Sequence, residues 1–354
     1  MLKRKKIAVV GAGIFGCTIS LILSKKFDVD LYERKSQILN EASMCNQFRF
    51  HEGFHYPRSK KTLKEIKESN KDFLKFFGEN VLYKTKNYYS IAKNESKTSY
   101  LKYINFLKAN NLNYKIIKNS KYVSTNVEGT ILSTEKTLNY FEFKKSLLSK
   151  LKNSKVNLKL NSQLDKNILR YKSYDKIILS TYKNNNQILK KLGYKIKNKF
   201  RYELVEKIGI KLPKRFKNIS FVVMDGNFVC VDPYIGTPYH LLSHVKYSKI
   251  KIIKNTAAKF PKKYDSILIK TKIVNHKISK FNNFVKGGSK FLPFLNLSKY
   301  VFSFFVVRTL KFNVEKSSER TNLIQNYDNK ILTILSGKWN TCVTEAKKIE
   351  KLIS

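Results

Sequence analysis

Three glycines and one acid carry the clearest chemistry in this sequence. Gly11, Gly13 and Gly16 fall in G-x-G-x-x-G spacing directly after the apolar run Ile7–Val10. An apolar helical run, Ile14 to Leu23, comes next, and a second strand-like run, Val29–Tyr32, ends on Glu33. Each part has a mechanical reason if the ligand is a dinucleotide. Gly11 permits the tight turn out of the strand. Gly13 has no side chain, so a pyrophosphate can approach the backbone. Gly16 lets the helix pack closely on the sheet. The helix N-terminus offers free N–H groups to the phosphates, and the Glu33 carboxylate can accept from ribose hydroxyls.

Other side chains with chemical potential lie further along. His51 and His55 stand four apart, with Tyr56 beside them. On a helix that spacing could ligate a metal, but no H-E-x-x-H is present and Pro57 argues against a helix. No metal is expected, and His51 reads as polar support or a base. His240 and His244 flank an apolar strand and read as core or rim histidines. Arg308 closes the run VFSFFVVR, as a strand-end surface residue or as a bidentate carboxylate clamp. Arg320 is a second candidate. Met224–Asp225–Gly226 and Asp232–Pro233 read as turns.

These residues need a large framework, and 354 residues with 42% apolar content suffice for a sizeable core. No apolar run reaches the ~18 residues of a membrane span. Lys3–Lys6 before an apolar stretch imitates a signal peptide, but the glycines and the onward run to Glu33 speak against one. Cys17, Cys45, Cys230 and Cys342 are widely spaced. They point to a reducing, cytoplasmic setting without structural zinc. The net charge of +46 would attract nucleic acid, anionic membrane or acidic substrates. The lysines are spread singly among Asn, Ile and Tyr, however, as an AT-rich genome would write them.

In chain order, Arg34–Pro57 is a long connection with few periodic apolar residues, and such connections are usually functional. Ser59–Phe77, Ser99–Ala109, Tyr140–Leu151 and Asn340–Ile353 read as helices. Tyr88–Ala92, Lys115–Lys118, Gly129–Ser133, Val156–Leu160, Asp175–Leu179 and Lys330–Leu335 read as strands. So do Arg201–Lys207, Ser220–Met224, Phe228–Val231, His240–Val245 and Tyr300–Arg308. Ile250–Ala258 and Tyr264–Ile269 read as helical or mixed. The expected fold class is α/β: a Rossmann-like domain from residues 1–80, 135–182 and 325–354, interleaved with an antiparallel-sheet (α+β) substrate domain from 81–134 and 183–324.

Three motifs then carry a resemblance. They are GAGIFG…YER (Gly11–Gly16 and Tyr32–Arg34), ASMCNQFRFHEGFHYP (Ala42–Pro57) and ILSGKWNT (Ile334–Thr341). In the second, Ser43, Asn46, His51, Gly53, Tyr56 and Pro57 fall in register with A-S-x-x-N-x-G-x-x-H-x-G-x-x-Y-P. The chain resembles the flavin-dependent amine and hydroxy-acid oxidoreductases of the D-amino-acid oxidase superfamily, whose members include glycine oxidase, L-2-hydroxyglutarate dehydrogenase and glycerol-3-phosphate dehydrogenase. The resemblance implies FAD rather than NAD, held without a covalent bond unless Cys342 supplies one. It implies that Gly11, Ala12, Gly13 and Gly16 hold the pyrophosphate, and Glu33 with Arg34 the ribose. It places Ser43, Asn46, Gln47 and His51 along the way to the flavin ring, Leu164 at the adenine edge, and Gly337, Lys338 and Trp339 by the isoalloxazine. His51, His55, Tyr56 and Arg308 become the catalytic candidates.

The chain departs from the family pattern at three places. Phe48 stands where the family has a glycine, Val307–Arg308–Thr309 replaces G-x-R-P, and Ser180–Thr181–Tyr182 replaces Ala-x-Gly. The segments GFHYPRS, MDG and SGK resemble a subgroup associated with sugar and surface-polysaccharide metabolism. The implied activity is removal of a hydride from a C–N or C–O carbon of a small, anionic substrate: an amino acid, hydroxy acid or sugar derivative. Electrons would pass on to oxygen, a quinone or an electron-transfer protein. The +46 charge keeps two rivals open. One is a nucleic-acid- or polymer-binding protein that uses the flavoprotein fold as scaffold. The other is a flavoenzyme acting on a base or sugar within a polymer.

Overall fold

Four of the five residues of strand Lys6–Val10 are buried, because the strand runs between two parallel neighbours and under helices. The computed structural model describes residues 4–163, 174–196, 198–312 and 322–354. Leu164 and Arg320 lie outside the described residues. The first sheet has six strands in the order Leu323–Tyr327, Ile331–Leu335, Lys176–Leu179, Lys6–Val10, Asp28–Tyr32 and Val156–Lys159. All neighbours are parallel except the Leu323–Tyr327 hairpin. Helix Ile14–Leu23 is buried on nine of its ten residues, which is why it is apolar all round. Its neighbour, helix Cys342–Ile353, shows one apolar face, with Val343, Ala346, Ile349 and Ile353 buried.

Gly11 and Gly16 allow this packing. Gly11 has φ +97°, and a Cβ on Gly16 would stand 1.8 Å from the Gly11 carbonyl oxygen. The strand therefore turns into the helix at van der Waals contact with itself, which any larger residue would prevent.

A second sheet of ten strands supplies the other layer. Its long members are Phe200–Lys211 and Lys299–Lys311, paired antiparallel along their whole length. This sheet is mixed, whereas antiparallel pairing alone was expected: Ile219–Met224 joins Lys86–Ala92 in parallel. A three-stranded sheet of Arg49–Phe50, Lys136–Leu138 and Leu82–Lys84 ties the long connection after Glu33 to the rest.

Three expectations need correction. Lys249–Asn255 is a strand and not helical, because it pairs with the free edge of Phe200–Val205. Asp232–Pro233 is the end of the buried strand Val229–Pro233 and not a turn; Asp232 can be buried because Arg49 meets it. Arg308 lies inside its strand, which runs on to Lys311 by pairing with Phe200–Glu203. Among the described residues no helix is long and apolar enough to cross a membrane.

His240 and His244 are both buried in strand His240–His244. His240 Nε2–H donates to the Phe216 carbonyl at 3.0 Å. Burial pushes each imidazole down to about 4, with Lys246 adding to the effect on His244. Between about pH 6.5 and pH 4 the unfolded chain thus binds protons that the folded chain refuses, and stability falls as pH falls. We expect each histidine to remove about 1–2 kcal/mol of stability by pH 5. Urea midpoints at pH 7.5 and pH 5 should show a smaller acid loss in His240→Gln than in the parent chain.

Candidate active site

One cavity of about 1300 Å³ runs from the glycine turn to the face of the second sheet. Its first end is lined by Gly11, Gly13, Glu33 and Arg34. Gly13 is the N-cap of helix Ile14–Leu23 and offers no side chain to it. Ser43 stands in: Ile14 N–H donates to Ser43 Oγ at 3.1 Å. A Cβ on Gly13 would meet only Ser43 Oγ, at 3.3 Å. The backbone there is thus open to a ligand. Ala12 N–H donates to Glu33 Oε2 and Lys35 N–H to Oε1, each at 2.9 Å. The carboxylate is locked at the cavity wall. Arg34 turns to Glu41. Ala12 and Gly16 lie behind the wall and shape it.

The connection Ser43–Tyr56 forms one long side of the cavity. Asn46 Oδ1 accepts from Gln47 N–H at 2.7 Å and Phe48 N–H at 3.2 Å, so its side chain builds the loop's own turn. Phe48 has φ +59°. That left-handed conformation favours glycine, which is what the family pattern has here. Its ring stacks on Tyr234 at 5.8 Å and contacts Tyr140 at 5.3 Å, and this burial offsets a strain of about 1–2 kcal/mol. Tyr182 repeats the substitution: it sits at the glycine position of Ala-x-Gly with φ +55° and lines the cavity.

His51, His55 and Tyr56 form an aromatic cluster on the wall, with ring centroids 5.4–5.7 Å apart. His51 Nδ1 lies 3.8 Å from Glu135 Oε1. Burial first, then His51 and Arg49, push the His55 imidazole down to about 3, so it is neutral at ordinary pH. Lys338 Nζ lies over the Tyr56 ring at 5.0 Å from its centroid. Gly337, Lys338 and Trp339 all line the cavity, and the indole also packs on Phe73 and Phe50. Cys342 is fully buried in the core below and does not line the cavity.

The opposite wall belongs to the second sheet. Arg308 donates to Glu203 Oε2 at 2.6 Å, and Arg201 meets Glu203 Oε1 at 2.8 Å. Burial pushes the Glu203 carboxyl up, but the two guanidinium groups outweigh it and hold the carboxyl below its usual range. Arg308 keeps 41% of its side chain exposed, and its Nε has no hydrogen-bond partner. The structure thus brings His51, His55, Tyr56, Lys338 and Arg308 to one space. Among the described residues no cluster of His, Cys, Asp and Glu could hold a metal ion.

Sequence reasoning missed a buried charge group on the cavity wall. Arg49 is buried and pairs with Asp232 Oδ1 at 2.6 Å, with Glu135 Oε2 4.0 Å away. Ser220 donates to Asp232 at 2.8 Å, and Tyr89 donates to Glu135. Burial works against the charge on Arg49, but Asp232 and its other neighbours outweigh it and raise the guanidinium further. The available signal was an arginine between two phenylalanines, Phe48 and Phe50, which is an odd setting for a solvated loop charge.

A doubly wound sheet, a glycine turn at a helix N-terminus whose own N-cap has no side chain, and a long cavity closed by a second sheet are the architecture of a dinucleotide-binding protein. Residues 6–187, about half of the chain, match the family described as FAD dependent oxidoreductase (DAO), and the chain belongs to that family. It is similar to the FAD-dependent monooxygenase FPY4 of Fusarium mangiferae, 29% identical over 133 residues. That match spans 37% of this chain and 36% of the relative, about a third of its length. Its fold is that of glycine oxidase from Geobacillus kaustophilus (TM-score 0.70, 9% identity, 99% of this chain and 95% of that one). L-alpha-glycerophosphate oxidase from Mycoplasma pneumoniae, solved with FAD bound, aligns over the same shares with TM-score 0.70 and 16% identity. L-proline dehydrogenase from P. horikoshii aligns with TM-score 0.70 and 13% identity over 100% of this chain and 94% of that one.

Arg49 yields a stability prediction. Arg49→Ala leaves Asp232 buried without its cation, and breaking such a pair costs about 3–5 kcal/mol. Urea unfolding should show that loss. Arg49→Ala with Asp232→Asn should recover part of it, because the stranded charge is gone.

Proposed function

We propose that this enzyme oxidises a small anionic amine or alcohol, removing a hydride from the carbon that bears nitrogen or oxygen. The supporting observation is Arg308, which stands on the second sheet across the cavity from His51 and Tyr56. Glu203 fixes one side of its guanidinium, and the exposed part of the side chain faces the cavity. Arg201, Glu203 and Arg308 together carry one net positive charge, which a carboxylate or phosphate would neutralise while accepting two parallel hydrogen bonds.

FAD would lie with its pyrophosphate at Gly11–Gly13 and Ser43, its ribose at Glu33, and its ring between the Gln47–Tyr56 wall and Gly337–Trp339. The bound flavin supplies an acceptor for the hydride. This chain's residues do the rest. Arg308 anchors the substrate and fixes which carbon faces the ring. His51, 3.8 Å from Glu135, and the neutral His55 support the ring-side wall. Lys338, buried above Tyr56, brings a positive charge to the same end of the cavity.

Purified protein should be yellow and should release FAD on acid or heat treatment. Gly13→Val fills the space in which the backbone meets the pyrophosphate, so flavin occupancy should fall to a small fraction of that in the parent chain. Glycine, L-proline and a glycerophosphate, the substrate types named for the structural neighbours, are the first compounds to try in anaerobic bleaching. Arg308→Ala should keep the flavin and raise KM for the anionic substrate by about 10- to 150-fold, the worth of a charge-assisted hydrogen bond. A yellow Arg308→Ala variant with an unchanged KM would refute this placement of the substrate.

A further inference from the structure

Lys207 lies on the cavity's sheet face and has no part in the function proposed for Arg308 and its neighbours. It stands on strand Phe200–Lys211, two residues beyond Val205 and four beyond Glu203, so all three side chains point to the cavity side. Glu203 pairs across to Arg308 and Val205 to Val306. The cavity floor is thus an apolar patch, Val205 and Val306, with Arg308 at one end and Lys207 at the other. Lys207 makes no hydrogen bond or ion pair with any described residue.

Its position relative to the cofactor wall is also defined. Ile208 pairs with Leu242, so the next step along the ladder sets Lys207 beside Ser243. Ser243 Oγ accepts from Gln47 Nε2 at 2.6 Å, and Gln47 belongs to the connection that carries Ser43 and His51. Lys207 therefore sits at the seam where that connection touches the sheet. A molecule on the floor, with its anion at Arg308, extends towards this amine.

The groups that face Lys207 are Arg308 from the adjacent strand, Asp232 and Cys230 from Val229–Pro233, and Cys45 from the connection. Burial, then Arg308, push the amine down, and Asp232 and the thiols only partly oppose them; it comes to about 8. Burial pushes the Cys45 thiol up to about 12 and the Cys230 thiol up to about 11, so neither offers an anion at neutral pH. His55, at about 3, binds a proton too weakly to serve as a base. An amine near the working pH is matched to proton transfer.

We propose that Lys207 is the proton acceptor of the reaction, taking the O–H or N–H proton of a substrate whose anionic group is held by Arg308. This rests on the flavin-dependent oxidation proposed above. The substrate's O–H or N–H bond breaks, with its proton going to the lone pair of Lys207 Nζ. The adjacent C–H bond breaks, with its hydrogen and electron pair leaving to the flavin. A C=O or C=N bond forms, and the Lys207 ammonium returns its proton to water. The substrate loses two electrons and the flavin gains them.

Two measurements on the FAD-loaded protein test this. The first is pulsed acetylation with acetic anhydride between pH 6 and 11, with the extent at each lysine read by mass spectrometry. Lys207 should titrate near pH 8, about two units below exposed lysines. A midpoint above pH 10 would overturn the proposal without any substrate being known. The second follows flavin reduction by whichever of glycine, L-proline or a glycerophosphate bleaches the parent enzyme. Lys207→Met should keep the flavin and slow reduction by about 10²- to 10⁴-fold, with partial rescue by added ethylamine. Lys207→Arg should be as slow as Lys207→Met, because a guanidinium cannot accept a proton near neutral pH. A fast Lys207→Arg would show that only the positive charge matters and would overturn the base assignment, as would parent rates in Lys207→Met. A parent chain that never takes up FAD refutes the flavin reading itself, a separate failure from a flavin-loaded chain whose Lys207 titrates like any other lysine.

Discussion

A buried guanidinium organises this molecule. Arg49 belongs to the long connection between Glu33 and helix Lys60–Phe77, yet its charge is buried. Such a charge is tolerable only with partners, and these come from two other places in the chain, Asp232 and Glu135. Satisfying Arg49 therefore fixes three segments against one another. Glu135 passes the constraint on, because it faces His51 Nδ1 and accepts the Glu52 N–H at 2.9 Å. The backbone behind the histidine wall is thus tied, through the Glu52 N–H, to the same carboxylate that lies near Arg49. The cavity is thus a consequence of charge pairing as much as of apolar packing.

The departures from the family pattern become intelligible at the backbone. Phe48 and Tyr182 both replace glycines, and both keep the left-handed conformation for which glycine is suited. What is retained is the path of the chain, and what is new is a side chain at each turn. The Phe48 ring fills an aromatic nest with Tyr140 and Tyr234. Tyr182 reaches Thr309, next to Arg308, with its hydroxyl donating to the Thr309 carbonyl at 3.3 Å. A glycine turn of the first sheet has thereby become a direct contact with the strand that carries Arg308.

The first sheet was legible from sequence because its signals are local. The run Ile7–Glu33 contains strand, turn, helix, strand and acid within 27 residues, and periodicity marks its partners Lys176–Leu179 and Ile331–Leu335. The second sheet was less legible because its strands owe their state to distant neighbours. Lys249–Asn255 looked helical or mixed until the edge of Phe200–Val205 claimed it, and nothing local shows that edge. The same reason hid half of the site. Gly13, Glu33, Ser43 and His51 announce themselves by spacing, whereas Glu203, Lys207 and Asp232 matter only through register and burial. Lys207 is one of many lysines in the sequence, and what sets it apart is the face of the strand on which it falls. Arg308 stood out from its apolar run, but its tie to Glu203 could not be read, because the two are 105 residues apart.

The net charge of +46 takes on a physical cast once the acids are located. Asp30, Glu135, Glu203, Glu206, Asp232 and Glu345 are all buried. Asp30 accepts from Lys159, Asn157 and Tyr174. Glu206 accepts from Ser279, the Lys280 N–H and Ser303. Glu345 meets Lys348, and the other three meet arginines. A chain with only 25 acids thus places several of them inside, where each orients a donor or cancels a buried cation. The outer surface keeps the lysines without them. The excess itself is set by composition, 71 basic against 25 acidic residues, and burial of these acids leaves the exterior lysines and their positive field with fewer carboxylates beside them. Such a field attracts polyanions without discrimination and is screened over about 8 Å at physiological salt. The cavity differs from that surface because its cations are held in place: Arg308 by Glu203, Arg49 by Asp232, and Lys207 by the strand that buries it. Selectivity for an anion can therefore arise inside the cavity even though the exterior attracts anions of every kind.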